Sequence, residues 1–184
     1  MESTLHISAA ELLTKAREAQ GLDTSLAIKL CNEAIEIAVK QNDISTEADA
    51  RHVLSQCLFT SGKRIEAIEE VNRAIEIRHE TDELAKESVS LNNLGIYLTE
   101  IGDYPAALES SFRSLRIKEE LSDKRGIGNT LINIGSIYKH LNNYDEELKM
   151  YERSMKIAEE INDPKMLAYN HLNLGLVHLF RNEL

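Results

Sequence analysis

Three asparagines stand forty residues apart in the chain: Asn93, Asn133 and Asn173. A side-chain amide carries a carbonyl acceptor and two N–H donors. A row of such amides can hold the N–H and C=O groups of an extended peptide without reading its side chains. The row stops toward the start of the chain, where Val53 and Leu13 take the equivalent positions. The plainer alternative is an amide that bonds a neighbouring helix or faces water.

No other group of residues has the spacing of a reacting site. Arg125-Gly126-Ile127-Gly128-Asn129 holds two glycines, but no strand pattern precedes it, as a dinucleotide loop requires. His171 and His178 are two helical turns apart, roughly 10 Å, too far to share one metal. There is no H-E-x-x-H, and the Ser, His and Asp residues are scattered. No catalytic, cofactor-binding or metal-ligating residue is assigned, and the chain is read as a non-enzyme.

Composition narrows the partners. A net charge of −10 argues against nucleic acid, which needs a basic face, and against anionic membrane surfaces. The two cysteines, Cys31 and Cys57, fall at inward helix positions and are too few for a disulfide framework. No apolar run reaches transmembrane length. The opening MESTLHIS lacks the basic start and apolar core of a secretion signal. These features predict a cytoplasmic protein whose partner is neither nucleic acid nor membrane.

The elements that position the asparagines repeat with the same interval. Leu54, Leu94, Ile134 and Leu174 form one row, and Ser55, Gly95, Gly135 and Gly175 the next. Ala27, Ala67 and Ala107 are followed by Glu147, which predicts looser packing there. Ala34, Ala74, Ser114 and Ser154 form a second row of small residues, and Ile37, Ile77, Ile117 and Ile157 an unbroken apolar one. The small residues let helices approach closely, and the isoleucines are expected to fill the space between hairpins. No hairpin buries its apolar face alone, so neighbours must stack.

The stretch Leu94-Gly95, Gly102-Asp103-Tyr104, Ala107-Leu108, Ser114-Leu115 resembles the tetratricopeptide repeat, whose usual period is about 34 residues. The longer form here is similar to that of spindle-orientation adaptors, kinesin light chains and bacterial signalling proteins. The resemblance implies an all-α fold, a right-handed solenoid of antiparallel helix hairpins. Four hairpins and one terminal helix are expected within a single array over 1–184. The repeats cover about 8–43, 44–82, 83–122 and 123–162, with a half-repeat at 163–184. Residues 1–7 are a lead-in, and Ser8 with Glu11 has the spacing of a capping box.

In related arrays the residue before the Leu-Gly pair points into a concave groove, which places Asn93, Asn133 and Asn173 there. Thr99, Asn129, Ser136, Lys139, His140 and Tyr169 are expected on the same face. The two-cation clamp of chaperone-binding relatives is absent. Glu69 with Arg73 and Glu109 with Arg113 have i,i+4 spacing. Arg113, Arg116, Lys118, Lys124 and Arg125 read as a solvated convex surface, with a docking patch for an acidic partner as the alternative. The last helix is apolar around most of its circumference, through residues that include Leu172, Leu176, Leu179 and Phe180. It calls for a cover: a longer chain, a second copy forming a homodimer, or a partner helix.

The resemblance implies a protein- or peptide-binding interaction module that takes an extended peptide or helix, the interaction or sensory region of a larger cytoplasmic signalling protein. Two alternatives stand beside it. One is a regulatory domain of a kinase or nucleotide cyclase whose catalytic part lies beyond Leu184, and the other is a self-associating scaffold.

Overall fold

The computed structural model describes residues 7–182, apart from the side chains of Phe180 and Asn182. Most of the expected lead-in therefore lies outside the described residues. Those described form nine helices and no strand: α1 (Ala9–Ala19), α2 (Thr24–Gln41), α3 (Ile44–Thr60), α4 (Arg64–Glu80), α5 (Leu84–Glu100), α6 (Tyr104–Glu120), α7 (Lys124–His140), α8 (Tyr144–Glu160) and α9 (Pro164–Asn182). The last helix continues through Arg181 and Asn182.

Short polar side chains start the helices. The Ser8–Glu11 capping box forms, with both bonds present. Asp23, Asp43, Asp103, Asp123, Asn143 and Asp163 each accept a hydrogen bond from the backbone N–H three residues on. A cap of this kind satisfies a donor that the helix itself leaves open. Lys63 is an N-cap with no such bond.

From α2 to α8 every helix ends in the same way. Asn42, Gly62, Asp82, Gly102, Ser122, Asn142 and Asn162 are left-handed and stand twenty residues apart. The next residue's N–H bonds back to the carbonyl five positions earlier, as in Asp43 to Ala38 at 2.9 Å and Asn143 to Tyr138 at 3.0 Å. This closure is the Schellman motif. Turns within hairpins and between hairpins are thus built alike.

The chain divides into two compact units, Met1–Ser90 and Leu91–Leu184, with the division inside α5. In the first unit, α2 packs on α1 and α3, and α3 on α4. Its core is rich in small side chains, among them Ala27, Cys31, Ala34, Ala48, Ala50, Cys57 and Ala74, all buried. In the second unit, α7 packs on α6 and α8, and α8 on α9. Leu115, Ile127, Leu131 and Ile134 form a core there, with Leu108, Tyr138, Met150 and Ile157 against it.

The rows of small residues behave unevenly. Ala34, Ala74, Ser114 and Ser154 are all fully buried. A Cβ on Gly95 would lie 2.3 Å from Ser111 Oγ, and one on Gly135 would lie 2.8 Å from Tyr151 Cε1. Gly175 departs from the expectation of close approach: a Cβ there meets nothing within 4 Å. The isoleucine row is only half-buried. The next position is the buried one instead, with Ala38, Arg78, Lys118 and Ala158 all buried.

Two of those four are cations, which corrects the reading of Lys118 as solvated surface. In the first unit the Arg78 guanidinium donates to Asp49 Oδ1 at 2.9 Å, to the Lys86 carbonyl at 3.1 Å and to Ser90 Oγ. Ser90 Oγ also lies 2.9 Å from His52 Nδ1. Burial, with Arg78 nearby, lowers His52 to about 4. Burial raises the Asp49 carboxyl, but Arg78 and Lys86 outweigh it and hold the group below its usual value.

In the second unit, Lys118 Nζ donates to Thr130 Oγ1 at 2.8 Å. Burial brings this amine down to about 8, with Asp123 opposing. Among the remaining cations read as convex surface, Lys124 pairs with Glu160 and Arg125 with Asp163. Arg73 turns to Glu70 at 3.4 Å, one position from the expected Glu69.

Candidate functional site

The expected groove residues of the second unit gather along one side of α7. Lys124–His140 is a helix because Asp123 caps it and its apolar residues Ile127, Leu131, Ile134 and Ile137 recur at helical spacing and are buried. That spacing leaves Asn129, Asn133, Ser136, Lys139 and His140 on the sides not consumed by the core. Three cavities follow one another beside them.

The first cavity, about 560 Å³, is lined by Asn129, Asn133 and Tyr169, together with Arg125, Ile132, Asp163, Lys165 and Met166. Asp163 caps α9 through the Met166 N–H at 3.1 Å and pairs with Arg125 at 3.1 Å. The cap that starts α9 therefore also holds a cation at the mouth of this cavity. A smaller cavity, about 110 Å³, brings Thr99, Asn133, Ser136 and His140 together with Ile96 and Glu100. The third, about 460 Å³, takes Ser136, Lys139 and His140 with Asn142, Tyr144, Glu147, Leu176 and Val177.

Asn133 belongs to the first two cavities, and Ser136 and His140 to the last two. The three therefore form one track. From Asn129 to His140 the helix rises roughly 16 Å, the reach of about five residues of extended chain. His140 is fixed at the side of the track by Tyr104, whose ring stacks on it at 5.5 Å between centroids and 12° between planes.

The asparagine row is not a set of equal rungs. Asn133 lies in the track, and its Nδ2 donates to Asn92 Oδ1 at 3.0 Å. This leaves the Asn133 carbonyl oxygen and its second N–H. Asn173 is buried, and its amide donates to the Tyr169 carbonyl of its own helix at 2.8 Å. Asn93 is half-buried and lines none of the three cavities. Of the apolar end, Leu172 is 64% and Leu179 55% exposed, and Leu176 lines the third cavity. The side chain of Phe180 lies outside the described residues.

Several residues of the track were not foreseen. Asn92 braces Asn133 and accepts from Thr130 Oγ1 at 3.1 Å. It differs from the chosen row by one position, and only the side-chain geometry shows which amide is spent on the other. Arg125 had been set among convex cations. Glu147 carried a signal in the sequence, because it alone breaks the alanine row, but that signal was taken as loose packing. It is 2% exposed, and burial raises its carboxyl above the usual range, with Lys139 opposing. Among the described residues, no group of three or more His, Cys, Asp or Glu side chains is placed to hold a metal ion. None of the described helices is long and apolar enough to cross a membrane.

Helix hairpins joined by uniform turns, with a polar track beside a first helix, define a helical-repeat protein of the interaction type. The chain belongs to the tetratricopeptide repeat family, whose model matches residues 46–120 and 86–160. No curated protein matches it. Among solved structures it is similar to BtubC (BKLC) from P. vanneervenii, with 20% identity and a TM-score of 0.82 over 92% of this chain and 71% of that one. The apo form of RapI is similar at 20% identity and a TM-score of 0.86, over 92% of this chain and 62% of that one. A Rap protein solved in complex with Competence and Sporulation Factor is similar at 20% identity and a TM-score of 0.79. The coverage in that case is 88% of this chain and 46% of the Rap chain. The chain thus spans between about half and three quarters of these proteins, and at such identities the likeness is one of fold.

Proposed function

We propose that the track along α7 binds a short extended segment of a partner protein. The observation that carries this reading is the position of Asn133 where two cavities join, with Thr99, Asn129, Ser136, His140 and Tyr169 around it. Amides and hydroxyls in such a row match the alternating donors and acceptors of an extended backbone. The flanking apolar surfaces of Ile96, Ile132, Met166 and Tyr169 exclude water around those bonds. The role is one of recognition without catalysis, in the cytoplasm, as the interaction or sensory part of a signalling protein. A Rap protein of the same fold, solved with Competence and Sporulation Factor, supports it by analogy.

The test is selection from a displayed library of random decapeptides, followed by anisotropy titration of the selected peptides. Binding that weakens about tenfold in Asn133→Ala supports the track, since one lost hydrogen bond in a desolvated site is of that order. A library that yields no peptide, or peptides indifferent to Asn133, overturns it.

A second reading rests on a separate observation. Leu172 and Leu179 are exposed on α9, and Gly175 between them is open. We propose that this face takes a helix, from a partner or from a second copy in a homodimer. Light scattering that shows a monomer at all concentrations removes the homodimer.

A further inference from the structure

Glu147 is the one member of its row that is not alanine, and it is buried on the third cavity. A carboxylate taken out of water needs a partner. Among the described residues its carboxylate forms no hydrogen bond and no ion pair, and Lys139, which lines the same cavity, is exposed at its edge. The aromatic ring of Tyr144 and the apolar side chains of Leu176 and Val177 form other parts of the wall. The cavity, about 460 Å³, is open and large enough for a long side chain.

We infer that this cavity is a specificity subsite for an arginine side chain of the bound peptide, with Glu147 as its counter-ion. The inference deepens the proposed function and rests on it. Arginine fits the three features present together. Its planar fork bonds a carboxylate in two-pronged fashion. Its guanidinium stacks on an aromatic face such as Tyr144. Its methylene stem lies on apolar surface such as Leu176 and Val177. The cavity shares Ser136 and His140 with the smaller cavity that Asn133 lines, so a residue held there continues a chain lying on Asn133.

The test uses small probes, so that it does not depend on the peptide. N-acetyl-arginine methylamide and its uncharged isostere, N-acetyl-citrulline methylamide, are titrated into the isotope-labelled chain, and amide shifts are followed by NMR. The arginine probe is expected to shift Ser136, Tyr144, Leu176 and Val177 saturably, and to bind on the order of tenfold more tightly than citrulline. In Glu147→Ala this preference is expected to vanish. That variant installs the residue found at positions 27, 67 and 107 and should fold, which its amide spectrum will show. Equal binding of the two probes overturns the inference, as does a preference that survives Glu147→Ala or shifts located elsewhere. Selected peptides that need Asn133 but carry no arginine remove the subsite and leave the track. An arginine probe seated at Glu147, with no peptide selected, does the reverse.

Discussion

Lys118 Nζ donates to Thr130 Oγ1 at 2.8 Å, and both residues are buried. Forty residues earlier, Arg78 donates to Ser90 Oγ. In each case a cation at the end of a second helix bonds a hydroxyl on the next first helix, twelve residues on. The hydroxyl then meets a side chain of the preceding first helix: His52 for Ser90, Asn92 for Thr130. In the second unit this chain of bonds ends on Asn133, inside the track.

Replacing Lys118 by Met is expected to stabilise the protein by about 1–3 kcal/mol at neutral pH, because an apolar side chain of similar volume needs no desolvation of charge. The Lys118 amine is lowered to about 8 from 10.5. Its contribution to stability is therefore present above pH 10.5 and lost as pH falls through about 8. The wild-type chain should gain about 3 kcal/mol across that window relative to Lys118→Met. Urea unfolding of both at pH 7, 8, 9 and 10 measures the difference, and parallel curves would refute it.

His52 supplies a pH response at the acid side. Held at about 4 against an ordinary 6.5, it is neutral in the folded chain. Its contribution is complete above pH 6.5 and is lost as pH falls through about 4, amounting to about 3 kcal/mol. In His52→Gln the loss between those values is expected to be smaller, as thermal unfolding at pH 4.5 and 7 will read.

Two glycines in the same row should respond oppositely to alanine. At Gly135 the added Cβ would press on the buried Tyr151 ring, costing roughly 1–3 kcal/mol. At Gly175 there is open space, and alanine should gain up to about 1 kcal/mol from helix propensity alone. Equal shifts in melting temperature would contradict the packing described.

Asn133 and Asn173 should also separate. Asn173→Ala loses an amide already bonded to its own helix, so selected peptides should bind it as they bind the wild type. Asn133→Ala should weaken them about tenfold. Equal losses at both positions would restore the picture of an even ladder.

The helices were legible because their signals are local. A short polar cap marks most helix starts, and a left-handed residue every twenty positions marks the ends of α2 to α8, whatever packs above. It was the resemblance to related arrays that put Thr99 of α5 on one face with Asn129, Asn133, Ser136 and His140 of α7, and these residues line adjoining cavities. What spacing cannot tell is how a side chain uses its reach. Lys118 has the same address whether it extends into water or folds onto Thr130, and Asn173 whether it faces a ligand or Tyr169. Row 38, 78, 118, 158 reads Ala, Arg, Lys, Ala, and only the alanines advertise burial.

The uniform closure of the turns has a consequence for how such a chain can change length. Since the backbone leaves every helix from α2 to α8 in the same way, it carries no mark of which helix is first and which second in a pair. That parity is written only in side chains, in Gly95 and Gly135 on one set and Ser114 and Ser154 on the other. A duplicated single helix would be accepted by every turn, yet it would set all later rows out of phase. Growth by recombination is therefore quantised in pairs, and an odd insertion would be found in the packing long before it was felt in the loops.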